Sequence, residues 1–413
     1  MGEKKKFKDI KIRLTLDLHD FAWMASLAVL FVVMLEMFYR MIVNYNGRYE
    51  SDVKYYVTDI AQTGEEVHRL MGLMFKAFYN INHGTLEANV YLAAVIVLIV
   101  IVDYFVIRYF VKSDGYIEKV PRHSMQFLAL AMLFIGPIYM PVLHECFYMK
   151  SFGSFAWHSP TQQSMTLFAM ISALCFIEMY MTYEEKGIRP RIWIATMVTT
   201  MIATGFKPSY TIDLVLAIVV MFVVDLIRGG REGFAKRFGQ MFIMGCSIVP
   251  SGLYMIWLNS KEFAESTQYG EEHKILLSLA PLLEYKGLWA AVLFGITLPI
   301  AVFAFNSSRF RDVKYRFVLY VFIMGVVQWA VIEETGTRAN FGNFIWGRMI
   351  GCWLLTLASC PVLLEVFYDK DLLGKDSKKR KAFITLSGVV LVLAICSQLY
   401  YLWLVVTGRG YYH

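Results

Sequence analysis

Apolar runs of about 18–25 residues, each long enough to cross a bilayer as a helix, recur from one end of this 413-residue chain to the other. That recurrence constrains the fold more than any other feature. A helix buried in lipid satisfies every backbone hydrogen bond within itself, so a chain built this way becomes a stack of helices. Spans are predicted near 21–43, 89–111, 124–143, 164–183, 192–206, 209–227, 240–258, 288–306, 316–333, 346–367 and 382–405. The expected fold class is all-α, a polytopic membrane protein of about 11 transmembrane helices forming a single domain over 1–413. Only 18% of residues are charged, against the roughly 25% that covers a soluble domain's surface.

The net charge of +7 lies in short loops between spans, which points to a membrane protein and not to a nucleic-acid partner. Loops 228–238, 307–316 and 369–381 carry the densest Lys and Arg. By the positive-inside rule they face the cytoplasm, which makes the N-terminus cytoplasmic and, after an odd number of spans, the C-terminus extracytoplasmic. The basic start followed by a run too long for a signal-peptide core reads as an uncleaved first span. Six scattered cysteines, five of them within apolar segments, suit neither a disulfide framework nor a zinc site.

The first outer loop, about 44–88, is the longest. It carries Arg48-Tyr-Glu50-Ser51-Asp52-Val-Lys54-Tyr55-Tyr56 just after the first span. A carboxylate held above the membrane can take a proton from a hydroxyl, so Asp52 is the candidate general base and Glu50 its competitor. An ordinary solvated loop acid remains the plain alternative. Apolar residues at 67, 70, 71, 74 and 78 then predict an amphipathic helix, lying in the interface or packed on the bundle. Farther on, Ile275–Leu283 with its central Pro281 is too short to span and reads as re-entrant or interfacial.

Charges inside apolar runs sort by depth. Glu36, Arg40, Lys207, Asp213, Glu333, Glu334 and Arg348 fall near outer ends, which suggests one outward polar cavity, although Glu36 and Arg40 can simply pair at i,i+4. Asp103, Arg108, Glu178, Asp225 and Glu365 fall near inner ends, where snorkelling accounts for them.

Three turns add candidate binding groups. Trp157-His158-Ser159-Pro160-Thr161 offers stacking and hydrogen bonds, or merely a helix cap with Pro160 in the first turn. Gly205-Phe-Lys207-Pro208-Ser209 holds a cation at the boundary between two spans. Glu333-Glu334-Thr335-Gly336-Thr337-Arg338 through Asn343 to Arg348 is dense in donors, and Arg338 suits bidentate phosphate recognition. No cofactor motif is present, and a divalent metal is possible but has no motif behind it.

Together these pieces resemble the integral-membrane glycosyltransferases of the GT-C fold, which use polyprenyl-phosphate-linked sugars. The resemblance rests on the long first outer loop with its early acid, Glu50-Ser-Asp52-Val-Lys-Tyr55-Tyr56, and on the span count. The chain is also similar to uncharacterised multi-span proteins of bacterial surface-polysaccharide clusters. There the shared stretches are Trp157-His158-Ser159-Pro160-Thr161, Lys207-Pro208-Ser209, Glu334-Thr335-Gly336 with Arg338, and Gly342-Asn343-Phe344.

The resemblance implies transfer of a sugar from a polyprenyl-phosphate donor to a glycan or lipid-linked acceptor outside a bacterial plasma membrane. Asp52 would be catalytic; Lys207, Arg338, His158, Trp157, Glu334, Asn343 and Tyr55 would bind substrate or phosphate. The acidic pair of many such enzymes is absent, being Ser51-Asp52. Two rival readings stand: a polysaccharide polymerase or ligase, and a non-enzymatic transporter or flippase for lipid-linked saccharides.

Overall fold

The computed structural model describes residues 17–43, 51–63, 69–139, 156–230, 233–268, 274–279, 288–335, 344–373 and 377–407. The helices are α1 (Leu18–Val43), α2 (Leu70–Asn82), α3 (Thr85–Ser113), α4 (Arg122–Met132), α5 (Pro160–Lys186), α6 (Pro190–Phe206), α7 (Ser209–Arg228), α8 (Phe234–Cys246) and α9 (Val249–Gln268). They continue with α10 (Leu288–Gly295), α11 (Thr297–Phe305), α12 (Val313–Val331), α13 (Ile345–Tyr368) and α14 (Ser377–Val406). Among the described residues, seven helices are long and apolar enough to cross a membrane, or eight if α8 and α9, bent by 42°, form one span. The architecture is all-α and polytopic. Four of the predicted spans depart from a single long helix: among the described residues 124–143 is helical over α4, 192–206 is the 17-residue α6, 240–258 is broken between α8 and α9, and 288–306 is split at Ile296 into α10 and α11.

α13 is the axis of the bundle. In its most apolar window 89% of residues are buried, against 22% for α1 and 33% for α14. Its approach to α12 depends on glycine. A methyl group at Gly325 would stand 2.8 Å from the Arg348 Cα, and one at Gly351 would stand 2.7 Å from the Phe322 Cα. Backbone cannot step aside as a side-chain tip can, and small residues are what let helices in lipid pack this closely. Gly351→Ala is therefore expected to lower stability by about 1–3 kcal/mol, the usual range for overpacking. An unchanged thermal midpoint in detergent would count against this account of the α12–α13 seam.

The bundle has two poles. The loop pole carries the segment 52–63, whose middle, Tyr55–Ile60, is π-helical, together with the starts of α5, α7 and α13 and the end of α14. α2 lies against this pole with Met71 and Phe75 buried, and both Phe75 and Phe78 meet the Tyr91 ring at 6.2 Å. The helix thus packs on the bundle, as one reading of that amphipathic pattern expects. Glu36 and Arg40 on α1 pair with each other at 2.8 Å, as their spacing predicts.

Of the stretch 275–283, in which Pro281 lies outside the described residues, Ile275–Leu277 form strand β1, antiparallel to β2 (Ile332–Glu334), with Ile275 opposite Glu334. An extended partner 57 residues downstream in register satisfies its backbone, and no local periodicity announces such a pairing.

At the opposite, basic pole the snorkelling expectation fails for Asp103 and Glu365, which are buried, while Glu178 and Asp225 stay partly exposed. Asp225 accepts from Arg316 at 3.1 Å and from the Tyr180 hydroxyl. Glu178 is held by Arg189 and by Tyr109 at 2.7 Å, and buried Glu365 by Arg309. Asp103, fully buried, accepts from the Trp353 indole at 3.3 Å. Asp114 binds Lys314, Arg309 at 3.1 Å and the Tyr315 hydroxyl at 2.6 Å. A charge buried this deeply persists only with partners. Arg108 alone is exposed, as snorkelling requires.

Candidate functional site

The site is assembled at the loop pole from the segment 52–63 and four helix ends. Ser51 makes the first join. Its hydroxyl accepts the Val53 backbone N–H at 3.0 Å, capping the turn that begins at Asp52. The same Oγ donates to the His158 carbonyl at 3.3 Å. Asp52 therefore sits at the first position of a helical turn anchored to the residues before α5. A π-helical stretch directly follows, a local geometry often found at functional sites.

Trp157 and His158 are both buried, at 0% and 2% exposure, so they line the interior and not the surface. The His158 Nδ1 lies 2.6 Å from the Tyr401 hydroxyl of α14. The Asp52 carboxylate stands close enough to act electrostatically on that same hydroxyl. Burial, reinforced by the positive charge of Lys207, pushes the His158 imidazole down to about 3. It is neutral at physiological pH, so its ring exchanges one hydrogen bond and contributes no charge. Because the unfolded value is higher, the folded state gives up stability as pH falls from about 6.5 toward 3.

α5 opens as the sequence predicts, with Pro160 in its first turn, but Ser159 does not cap it through a backbone N–H. Its hydroxyl instead meets that of Thr161 at 3.3 Å. Ser159 through Ser164 are all buried, an unusual concentration of polar groups away from the surface. The Gln163 amide donates to the Ala156 and Trp157 carbonyls at 3.1 and 2.9 Å. Neither amide atom of Gln162 meets a partner among the described residues. An open amide beside a helix N-terminus is well suited to an anion.

Lys207 supplies the cation. α6 ends at Phe206, and the residue before Pro208 is driven to extended backbone, φ −160° and ψ 115°, which separates α6 from α7. The ammonium reaches to within 3.4 Å of Thr161 Oγ1 and lies 3.3 Å above the ring centroid of Trp346 on α13. The Trp346 ring in turn lies 6.4 Å from His158. Asp52, Trp157, His158 and Lys207 are thus brought into one cluster from three stretches of chain.

Behind it, Arg348 is buried with its guanidinium 4.5 Å from the Trp329 ring centroid. Oriented with its nitrogen toward them, the Gln328 amide donates to the Asp213 carboxylate and, at 3.2 Å, to the Ser209 carbonyl. Gly347 leaves room for that carboxylate, which a methyl group there would overlap.

Tyr55 is half exposed, edge-on to Tyr56 at 5.8 Å. Glu334 belongs to the β ribbon. Arg338 and Asn343 lie outside the described residues. Tyr401, Ser51 and Gln162 had no place in the sequence-derived site. Tyr401 sits in a run rich in aromatics where nothing singles it out. The run Ser159–Ser164, six residues without an apolar side chain except proline at the start of a span, was the legible signal for Gln162. Among the described residues no three His, Cys, Asp or Glu side chains group as a metal site. Comparison with protein-family profiles, curated proteins and solved structures finds no match.

Proposed function

We propose that this chain is a membrane glycosyltransferase resembling the GT-C enzymes, inverting, and acting on a polyprenyl-phosphate-linked sugar. The observation that carries the reading is the convergence of an acid, a neutral imidazole and a cation at one pole: Asp52, His158 and Lys207. In the proposed step the acceptor hydroxyl oxygen attacks the anomeric carbon as the bond from that carbon to the phosphate oxygen breaks. Asp52 takes the hydroxyl proton, and polyprenyl phosphate leaves with its charge compensated by Lys207. Arg338 and Asn343 are proposed to complete the phosphate site, with Tyr55, Trp157 and Glu334 holding the sugar and acceptor.

The same reading includes eleven crossings of a bacterial plasma membrane. It places the loop pole outside, the N-terminus in the cytoplasm and the C-terminus outside. The contact of Lys207, at the end of α6, with Thr161, at the start of α5, supports counting the short α6 as a crossing. The test is reconstitution in proteoliposomes with a polyprenyl-phosphate sugar labelled in the sugar. Label appearing in a glycan product together with free polyprenyl phosphate is the expected result.

One observation favours the transporter reading instead. Two helix pairs are interrupted, α8 from α9 at Ser247 and α10 from α11 at Ile296, and interrupted helices are a transporter device. Passage of intact lipid-linked sugar across the vesicle membrane, without cleavage, would replace the enzyme reading with that one.

A further inference from the structure

Where α8 bends away from α9, a groove of about 380 Å³ opens between α7 and α8, and none of the residues clustered around Asp52 lines it. Every side chain lining it is apolar. Val215, Val219 and Val223 form one wall, Phe238 and Phe242 the other, and Gly245 widens the deep end. Val219 and Phe242 are 53% and 64% exposed, so the protein leaves this surface uncovered. From Val215 to Leu226 the wall runs about 16 Å at the helical rise, close to half of the ~30 Å hydrocarbon core.

The mouth has the opposite chemistry. The groove ends at Leu226 on α7, two residues before Arg228, and begins on α8 at Phe238, directly after Lys236 and Arg237. The turn 228–238 carries four basic residues, Arg228, Arg231, Lys236 and Arg237, against one acid, Glu232. The Arg237 guanidinium donates to the Gly229 and Gly230 carbonyls at 2.7 Å each, which ties the turn across the mouth. Arg228 and Lys236 are exposed and have no ion-pair partner among the described residues. The acid of α7 nearest the mouth, Asp225, is taken up by Arg316 and Tyr180.

We propose that this groove is a binding site for an anionic glycerophospholipid, with an acyl chain between α7 and α8 and the phosphate headgroup on Arg228 and Lys236. An apolar slot one leaflet deep calls for a hydrocarbon chain, and cations at its mouth select a negative headgroup over a zwitterionic one. The inference depends on neither the glycosyltransferase reading nor the direction of insertion.

The test uses the purified full-length protein and native mass spectrometry, titrating dioleoyl phosphatidylglycerol against dioleoyl phosphatidylcholine. Phosphatidylglycerol is expected to be retained preferentially. The double variant Arg228→Ala, Lys236→Ala should lower that retention roughly 20- to 30-fold, about fivefold for each basic residue removed near an anionic headgroup. Gly245→Leu, at a position where a Cβ meets only the Phe222 ring at 3.8 Å, should fill the slot and reduce retention of both lipids. Val219→Trp does the same from the other wall should the first variant fold poorly. Equal retention of the two lipids, or retention indifferent to the double variant, would mean ordinary boundary lipid and overturn the proposal. Occupation of the groove by a second copy of the chain, seen as a dimer lost in Gly245→Leu, would overturn it as well.

Discussion

Asp52→Asn is expected to reduce sugar transfer in proteoliposomes by about 10²–10⁴-fold, the range a positioned general base contributes. The substitution is nearly isosteric and keeps a hydrogen-bonding side chain at the first position of the turn. Its structural cost is the loss of a negative charge at that helix start, about 0.3–1 kcal/mol. The Ser51 hydroxyl still caps the turn and still reaches the His158 carbonyl, so the local backbone should survive. Expression and thermal midpoint should stay near wild type while the initial rate collapses. A rate within a few fold of wild type would move the base elsewhere, to Glu333 on the β ribbon or to Glu50, which lies outside the described residues.

The second large effect is expected for Lys207→Met. Methionine keeps an unbranched apolar stem over the Trp346 ring but removes the ammonium that lies 3.3 Å from its centroid. If that charge meets the leaving phosphate, its loss should lower kcat/KM for the donor by about 10²–10³-fold, the range for removing one preorganised charge-stabilising group. The variant carries its own internal control. Lys207 is the second cause, after burial, of the low imidazole value at His158, so removing it should let that value rise while burial still holds it below 6.5. A titration of His158 by NMR reads that shift independently of catalysis. Unchanged donor kinetics together with a shifted His158 would leave Lys207 an electrostatic neighbour and end its phosphate role.

Local chemistry made much of the site readable in advance. Pro160 marks the first turn of α5, Lys207-Pro208 forces the extended residue between α6 and α7, and Glu36 with Arg40 are one helical turn apart. These are interactions between near neighbours in the chain, which residue order reports directly. Ser159 shows where that reading stops: its place at the helix start was legible, but whether its hydroxyl met a backbone N–H or Thr161 depended on a buried setting. Asp103 shows it again. An acid in an apolar run reads the same whether it snorkels or is buried, and only the Trp353 indole from another helix decides between them.

By itself, then, the order of residues determined that the chain is a stack of apolar helices, where most begin and end, and which polar turns lie between them. Those properties follow from the length of a bilayer crossing and from turn chemistry, both local. Only the tertiary structure decided that α13 is the axis, that Ile275–Leu277 pairs with Ile332–Glu334, and that Tyr401 and Trp346 meet His158 and Lys207. The physical reason is that lipid and protein interior are equally apolar. A membrane helix therefore carries little record of which face it buries, and the small residues and polar partners that settle the packing come from distant parts of the chain.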